Sequence, residues 1–507
     1  MLCESVHIFS LPTLKMINKS LKTSLKIGFI SLLYWNFSTA YAETLSYFQA
    51  EQKIISDSFT SQANAALEQA SQLQSEAVKG LGLPNIDFNV RAISYHAKVD
   101  VPLDSLKNNL DNSLVDSVNS KIDQWQSNNS SIISSQDAEI IKQGAGQGIK
   151  DGIGLIPNSY EFTLKDQMVR PSVSFVMPLY TGGLISSAKE LANLQAQKSK
   201  LNSKQQQDLQ KLEIIQTYFF VQLQKQLYTS SQFNAQAMQK HYNNALKLEQ
   251  QGFISKGQRM QFEVAKTNAV RILQTTDTTY KTSLFRLNNL LQSSQITDLS
   301  TPLFINSSQS KDLNTLLTTF EGNSNLIRQL QTDTQLANVN VKSLSAAKKP
   351  TVFAFGEYSL ENKADWIVGV AATYNLFSGV NKNKNIQAAE LQKHATELLT
   401  ARTKQEIETI IYTSYNEISN SLTSQKLLES NIQAAQENLR IQELSFKEDM
   451  ASATQVIDAQ NALTAIHSEM ALNAYKYILS LATLLQNYGS IDQFQTYINQ
   501  PNTRYIR

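Results

Sequence analysis

From position 184 onward, apolar residues recur at steps of three and four. Ala188, Leu191 and Leu194 are followed by Leu209, Leu212, Ile215, Phe219 and Leu223, separated mainly by Gln, Ser, Asn and Lys. That spacing predicts amphipathic helices with one packed stripe and one wet face. None of the nine prolines lies between Pro178 and Pro302 or between Pro350 and Pro501, so nothing interrupts helices over 184–251 and 382–447. Each would reach about 100 Å at about 1.5 Å per residue, which no compact domain holds. Helices roughly half as long are predicted at 45–78, 256–292, 311–347 and 453–487, so two stacked end to end would match one rod.

A second period, of two, marks four strands. Trp366, Val368, Val370, Ala372, Tyr374 and Leu376 alternate with Ile367, Gly369, Ala371, Thr373, Asn375 and Phe377. Val169, Pro171, Val173, Phe175, Met177 and Leu179 alternate with Arg170, Ser172, Ser174, Val176 and Pro178. In a strand over 85–95, Ile86, Phe88, Val90 and Ala92 alternate with Asp87, Asn89 and Arg91; a fourth strand, 351–360, has no clear facing. An apolar face backed by a small or polar one suits strands crossing a membrane in a barrel. A soluble sandwich gives a similar alternation.

The chain also repeats itself. Leu179-Tyr180-Thr181-Gly182 matches Leu376-Phe377-Ser378-Gly379, and Ser255-Lys256-Gly257-Gln258 matches Ser452-Ala453-Thr454-Gln455, both at an offset of 197. Val173/Val370, Leu194/Leu391, Tyr218/Tyr415, Tyr280/Tyr477 and Leu287/Leu484 keep the same register. Single pairs carry nothing in a chain rich in Leu, Gln and Ala. A Gly turn and a distant Ser-x-x-Gln turn at one shared offset read as two copies of one structural unit. Each copy runs strand, turn, very long helix, turn, shorter helix.

Composition narrows the class. Charged residues make up 17% of the 507, against roughly 25% in ordinary soluble domains. Lys15, Lys19, Lys22 and Lys26 precede an apolar run over 27–35 and then Ala40-Tyr41-Ala42, the order of a secretory signal peptide cleaved after Ala42. Met1 and Met16 are both candidate starts. Four of the 45 basic and one of the 43 acidic residues fall in this leader; the remainder is within one charge of neutral, which argues against a nucleic-acid partner. The single cysteine, Cys3, lies in the leader, leaving the mature chain no thiol. His7, His96, His241, His394 and His467 have no metal-ligand spacing, and no Gly-x-Ser-x-Gly or phosphate loop occurs. Neither enzymatic chemistry nor a cofactor is expected. After the leader no run reaches the roughly 18 apolar residues of a membrane helix, so any crossing is made by strands.

A closed barrel needs about eight strands or more, because unpaired edges cannot face lipid. The chain is therefore expected to assemble; three copies would supply twelve strands, and two or four copies also fit the count. Set within the repeat, Pro178-Leu179-Tyr180-Thr181-Gly182-Gly183, Asn375-Leu376-Phe377-Ser378-Gly379, Gly252-Phe253-Ile254-Ser255-Lys256-Gly257-Gln258-Arg259-Met260 and Val456-Ile457-Asp458-Ala459-Gln460 resemble the TolC-like outer-membrane efflux proteins over nearly the whole mature chain. The resemblance implies an α+β membrane protein. It would be a homotrimer with a 12-stranded β-barrel in outer-membrane lipid, four strands per chain, continuing into a long periplasmic α-helical coiled-coil barrel. Its implied role is the exit duct of a tripartite efflux pump or type I secretion system, docked on a periplasmic adaptor (membrane fusion) protein and an inner-membrane transporter of RND, MFS or ABC type. The alternative is a periplasmic coiled-coil adaptor, which would be expected to carry one hairpin and Gly-rich β-domains.

The same resemblance implies a gate at the periplasmic tip. Asp458 matches a position where acidic side chains form a ring; the preceding acidic position of the better-known pattern is Gln455 here, and Gln258 is its equivalent in the first copy. Gly252, Phe253, Ile254 and Ser255, with Met450, Ala451 and Ser452, are expected adaptor contacts at the two tip turns. Gly182, Gly183 and Gly379 turn strand into helix. One departure stands out: aligning Pro84 with Pro350 leaves 69 extra residues between the first two strands. This insert, about 97–165, carries Leu103, Leu106, Leu110, Leu114, Val118, Ile122 and Trp125 at helical spacing and then a glycine cluster over 144–154. It is expected to be an extracellular cap or a surface loop. The expected divisions are a leader over 1–42, a first repeat over 43–300, an equatorial linker over 301–320, a second repeat over 311–488 and a C-terminal tail over 489–507.

Overall fold

The structure, a computed structural model, describes residues 43–102, 120, 121, 123, 124, 136, 139–141, 159–293, 296–308, 311–361 and 365–506. The expected leader, the seven stripe positions of the insert and the glycine cluster over 144–154 lie outside them. In chain order come β1 (Glu43–Leu45), α1 (Tyr47–Asp57), α2 (Phe59–Ala77), β2 (Asn85–Pro102), β3 (Ser159–Tyr180), α3 (Leu184–Gln250) and α4 (Lys256–Leu290). They are followed by β4 (Ile296–Leu299), β5 (Leu303–Asn306), α5 (Leu313–Asn323), α6 (Asn325–Ala346), β6 (Thr351–Ser359) and β7 (Trp366–Thr373). The chain ends with α7 (Lys382–Lys447), α8 (Ala453–Tyr488), α9 (Phe494–Asn499) and β8 (Thr503–Ile506).

The two rods form as their pattern requires: α3 has 67 residues and α7 has 66, about 100 Å each. The helices expected over 45–78 and 311–347 are each broken once. Ser58 and Ser324 leave the helical region, at ψ 141° and 118°, and each begins a second helix. Ser58 Oγ accepts from the Ser61 amide and from Gln210 Nε2 on α3, so the break is locally capped and pinned to the rod. A lone serine in a polar-rich helix gives no Pro or Gly signal, which is why the pattern reads as continuous.

β2, β3, β6 and β7 make one antiparallel sheet in that order. The β2–β3 register is unbroken from Asn85↔Val176 to Pro102↔Ser159. Both strands therefore outrun the expected 85–95 and 169–179, and the connection between them is 103–158 rather than 97–165. β7 is shorter than expected, ending at Thr373; Leu376 and Phe377 are off the sheet and 89% exposed.

The hydrophobic core is a belt at mid-height. There α3 buries Ile214, Ile215, Tyr218, Phe219, Val221 and Leu223 around most of its circumference, leaving Glu213 and Gln216 exposed, a wider apolar face than a surface helix carries. β1 pairs parallel with β4, and β5 antiparallel with β8. Tyr218 donates its hydroxyl to Leu45 O (2.8 Å) and accepts from Thr301 N (3.0 Å), while Tyr477 donates to Asn306 O (2.9 Å). The expected C-terminal tail is part of this belt: Ile491, Phe494 and Ile498 are buried in it.

Candidate functional site

The sheet register decides what each strand presents. Ile86↔Phe175, Phe175↔Gly356 and Gly356↔Val368 fall in one row, so one face carries Ile86, Phe88, Val90 and Ala92, then Val169 to Met177 at odd positions, Val352, Ala354, Gly356 and Tyr358, and Trp366, Val368 and Val370. This settles the facing of β6, where sequence alone left it open. Phe88 is 65% exposed, Val368 62% and Trp366 71% within the chain. The band ends on β2 at Ala92, because Ser94, His96 and Lys98 follow on the same face and are exposed. The opposite face is mixed: Asp87, Asn89, Arg91 and Ser174 make it polar on β2 and β3, where Arg91 pairs with Glu357 at 3.2 Å and Asn89 Nδ2 donates to Ser174 Oγ at 2.8 Å, while Val176, Phe353, Phe355 and Ile367 lie on it farther along. Gly356 is required, since a Cβ there would lie 2.3 Å from the Phe175 ring.

At the far end the two helical hairpins meet. Each tip turn closes with the same pair of bonds: Phe253 N to Leu248 O and Gly252 N to Glu249 O in the first, Met450 N to Ser445 O and Asp449 N to Phe446 O in the second. Each following helix opens with a capping box. Ser255 N donates to Gln258 Oε1 (2.8 Å) while Gln258 N donates to Ser255 Oγ (3.2 Å); Ser452 and Gln455 repeat this at 2.6 and 3.3 Å. The carboxamides of Gln258 and Gln455 are thus committed to holding helix starts, a signal that Ser-x-x-Gln already carries. Asp458 is exposed on α8 one turn beyond the tip.

Phe253 is 68% and Met450 82% exposed, and they occupy the same position of their two turns. Ile254 instead turns inward onto a small core of Ala245, Phe262, Ala453 and Val456, and Ala451 is buried. Gly252 is exposed, with open space around it. Sequence reasoning passed over Arg259, which bridges Glu249 (3.0 Å) and Glu263 and so ties the first hairpin shut, and His241, buried behind Phe262.

The strand-to-helix turns differ. Gly182 and Gly183 are both left-handed, at φ +66° and +107°, and a Cβ on Gly182 would come within 2.7 Å of Lys349 Cβ and 2.8 Å of Ala346 O. Gly379 has nothing within 4 Å. In the belt, burial pushes the Asp208 carboxyl up, against a hydrogen bond from Asn325 and the charges of Lys211 and Lys204. Among the described residues no group of three or more His, Cys, Asp or Glu could hold a metal ion, and no helix is long and apolar enough to cross a membrane.

No protein-family profile and no curated protein sequence matches the chain. Solved structures do. CusC, a protein whose structures are described as showing changes that accompany folding and transmembrane channel formation, superposes with a TM-score of 0.68 at 12% identity, over 88% of this chain and 92% of that one. The outer membrane protein VceC of Vibrio cholerae gives 0.67 at 12%, over 88% and 96%. The MtrE outer membrane channel of Neisseria gonorrhoeae, in its open state, gives 0.63 at 14%, over 88% and 89%. The chain has the fold of the TolC-type outer-membrane channels.

Proposed function

We propose that the chain is an outer-membrane exit duct, on the strength of a fold shared with the outer membrane protein VceC, with CusC, which forms a transmembrane channel, and with the outer membrane channel MtrE. The observation that carries the reading is the apolar face running across all four strands, backed by a face that bears the sheet's charged and amide side chains, Asp87, Asn89, Arg91 and Glu357: a lipid-facing wall and a lumen side. Among the described residues the sheet has two open edges, on β2 and β7. Edges in hydrocarbon leave backbone groups unpaired at several kcal/mol each, so further copies must close them. Three copies give a 12-stranded barrel and, below it, a periplasmic tube of helices.

A helix stripe supports assembly as well. On α7, Leu391 (70%), Leu398 (58%), Tyr412 (53%), Leu427 (62%) and Ile441 (45%) are exposed at close to heptad spacing, a seam for a helix of the next copy. The element order supports two copies of one unit. α1 and α5, α2 and α6, and β2 and β6 each start 266 residues apart, and after the insert α4 and α8 start 197 apart. The expected signal peptide and the apolar strand face together support a location in the outer membrane, with the helices in the periplasm. The exposed Phe253 and Met450, with Gly252, Ser255 and Ser452 and backed by the inward-facing Ile254 and Ala451, form the end that meets a periplasmic adaptor and, through it, an inner-membrane transporter of an efflux or type I secretion system. Asp458, exposed near the tip, would be contributed three times over in a trimer and is the candidate for a ring of carboxylates.

The test is native mass in detergent of protein extracted from outer membranes, with conductance from the same preparation. A trimer forming small, mostly closed channels is expected. A monomer, or protein found in the inner-membrane fraction, overturns the reading.

A further inference from the structure

His241 lies on α3 about three turns short of the tip and is 7% exposed. Its ring is 6.0 Å from that of Phe262 on α4, and Phe262 stands edge-on, at 5.3 Å, to Phe446 on α7. The imidazole thus sits where the first hairpin (α3, α4) meets the second (α7, α8). Its Nε2 has no hydrogen-bond partner; the nearest carboxylate oxygen, Glu443 Oε1 on α7, is 3.6 Å away. A cavity of about 410 Å³ beside the ring is lined in part by Lys240, Lys247 and Lys447.

We propose that His241 is a proton-operated latch between the two hairpins: the neutral imidazole holds the packed tip, and the imidazolium leaves its seat and lets the hairpins part. The charged groups facing it are Lys240 and Lys247 from its own helix and Glu443 and Lys447 from α7; α4 and α8 present Phe262 and Val456. Burial pushes the imidazole below its ordinary value and Lys240 adds to this, while Glu443 pulls the other way and is outweighed. The packed tip therefore binds the proton less well than a splayed one. Packing is complete above the free imidazole value of about 6.5 and is lost as pH falls through the depressed value. One proton linked in this way shifts the packed-to-splayed ratio by up to about tenfold per pH unit. The adjoining cavity gives the ring a route to water without unfolding either helix.

No cysteine follows Cys3, so spin labels can be placed at will. Asn243→Cys on α3 and Leu444→Cys on α7, both exposed, report the hairpin separation in full-length protein diluted with unlabelled chain. The distance should lengthen between pH 7.5 and 5 in the parent and stay short at every pH in His241→Gln and His241→Phe, which leave His467 on α8 titratable. Glu443→Gln should move the midpoint to lower pH. A parent distance that ignores pH overturns the latch, as does lengthening in both His241 variants that follows the parent profile, or a Glu443→Gln midpoint that stays put or rises. The readout is helix separation and not transport, so it stands or falls apart from the export reading.

Discussion

Gly252 and Asp449 are 197 residues apart and occupy the same left-handed corner of the same turn, at φ +79° and +58°. Gln292 and Gly489 stand in the same relation at the other ends of α4 and α8, at φ +50° and +84°. In each pair one copy has glycine and the other a residue that must bear the conformation. A Cβ in the left-handed region costs about 1–2 kcal/mol for an L-residue, less for Asp. Asp449→Gly should therefore steady the second tip by about 0.5–1 kcal/mol, and Gly252→Ala should loosen the first by about 1 kcal/mol. Hydrogen exchange at the amides of Phe253 and Met450 reads both; slower exchange in Gly252→Ala would contradict the assignment.

The glycines at the strand-to-helix turns should behave differently although the repeat aligns them. Gly182→Ala drives a methyl into Lys349 Cβ and Ala346 O at a positive φ, whereas Gly379→Ala meets open space. The amount of assembled protein recovered from outer membranes should collapse for the first and match the parent for the second. Equal yields would mean that the chain relaxes around Gly182.

Much of this was legible because the signals are long and periodic. The rods over 184–250 and 382–447 follow from stripes that no proline interrupts, and β2 and β7 from clean alternation. The facing of β6 was not legible: Gly356 and Phe355 carry no alternation alone, and only pairing with Phe175 and Val368 orients them. The breaks at Ser58 and Ser324 were missed because a serine cap costs the pattern a single residue. The belt has a signal, the unbroken Tyr218-Phe219-Phe220-Val221 run, but which strands and tyrosines surround it is a tertiary fact. At the tip, Ser-x-x-Gln marked the turns, yet His241 looks like any other polar position on α3 until Phe262 and Glu443 are seen beside it.

Asp208 should make the belt less stable at neutral pH than it need be. It is 9% exposed, and burial raises its carboxyl above the ordinary range. A group with a raised value in the folded state favours folding below its unfolded value and loses that contribution as pH rises through the folded one. Asp208→Asn keeps an oxygen for Asn325 Nδ2, which now reaches Asp208 Oδ2 at 2.9 Å. The variant should melt higher than the parent at pH 7.5, with the gap closing as the pH falls toward 4. A gap that widens on acidification would reverse the sign and reject burial as the cause.

Asp458 offers a separate electrical test. It is exposed on α8 near the tip, and three carboxylates around a narrow axis would concentrate cations by Coulomb attraction. Asp458→Asn should lower cation preference or relieve block by divalent cations in single-channel recordings. Gln455→Glu should leave the tip folded, since glutamate also completes a capping box, and should strengthen cation preference. An unchanged reversal potential in both variants would remove the ring.

The two faces of the sheet supply the sharpest contrast, since Phe88 and Asn89 are neighbours on β2 with opposite assignments. Phe88 belongs to the apolar band and is 65% exposed, while Asn89 donates to Ser174 on the polar face. An arginine on the lipid side of a barrel costs about 2–4 kcal/mol near the midplane, and lumenal positions accept charge. Phe88→Arg should therefore fail to reach the outer membrane as an assembled species. Asn89→Arg should assemble, losing one hydrogen bond, and should shift conductance or ion preference by placing up to three new cations in the pore. If Phe88→Arg assembled as well as Asn89→Arg, the apolar face would not be the lipid face and the export reading would fall with it.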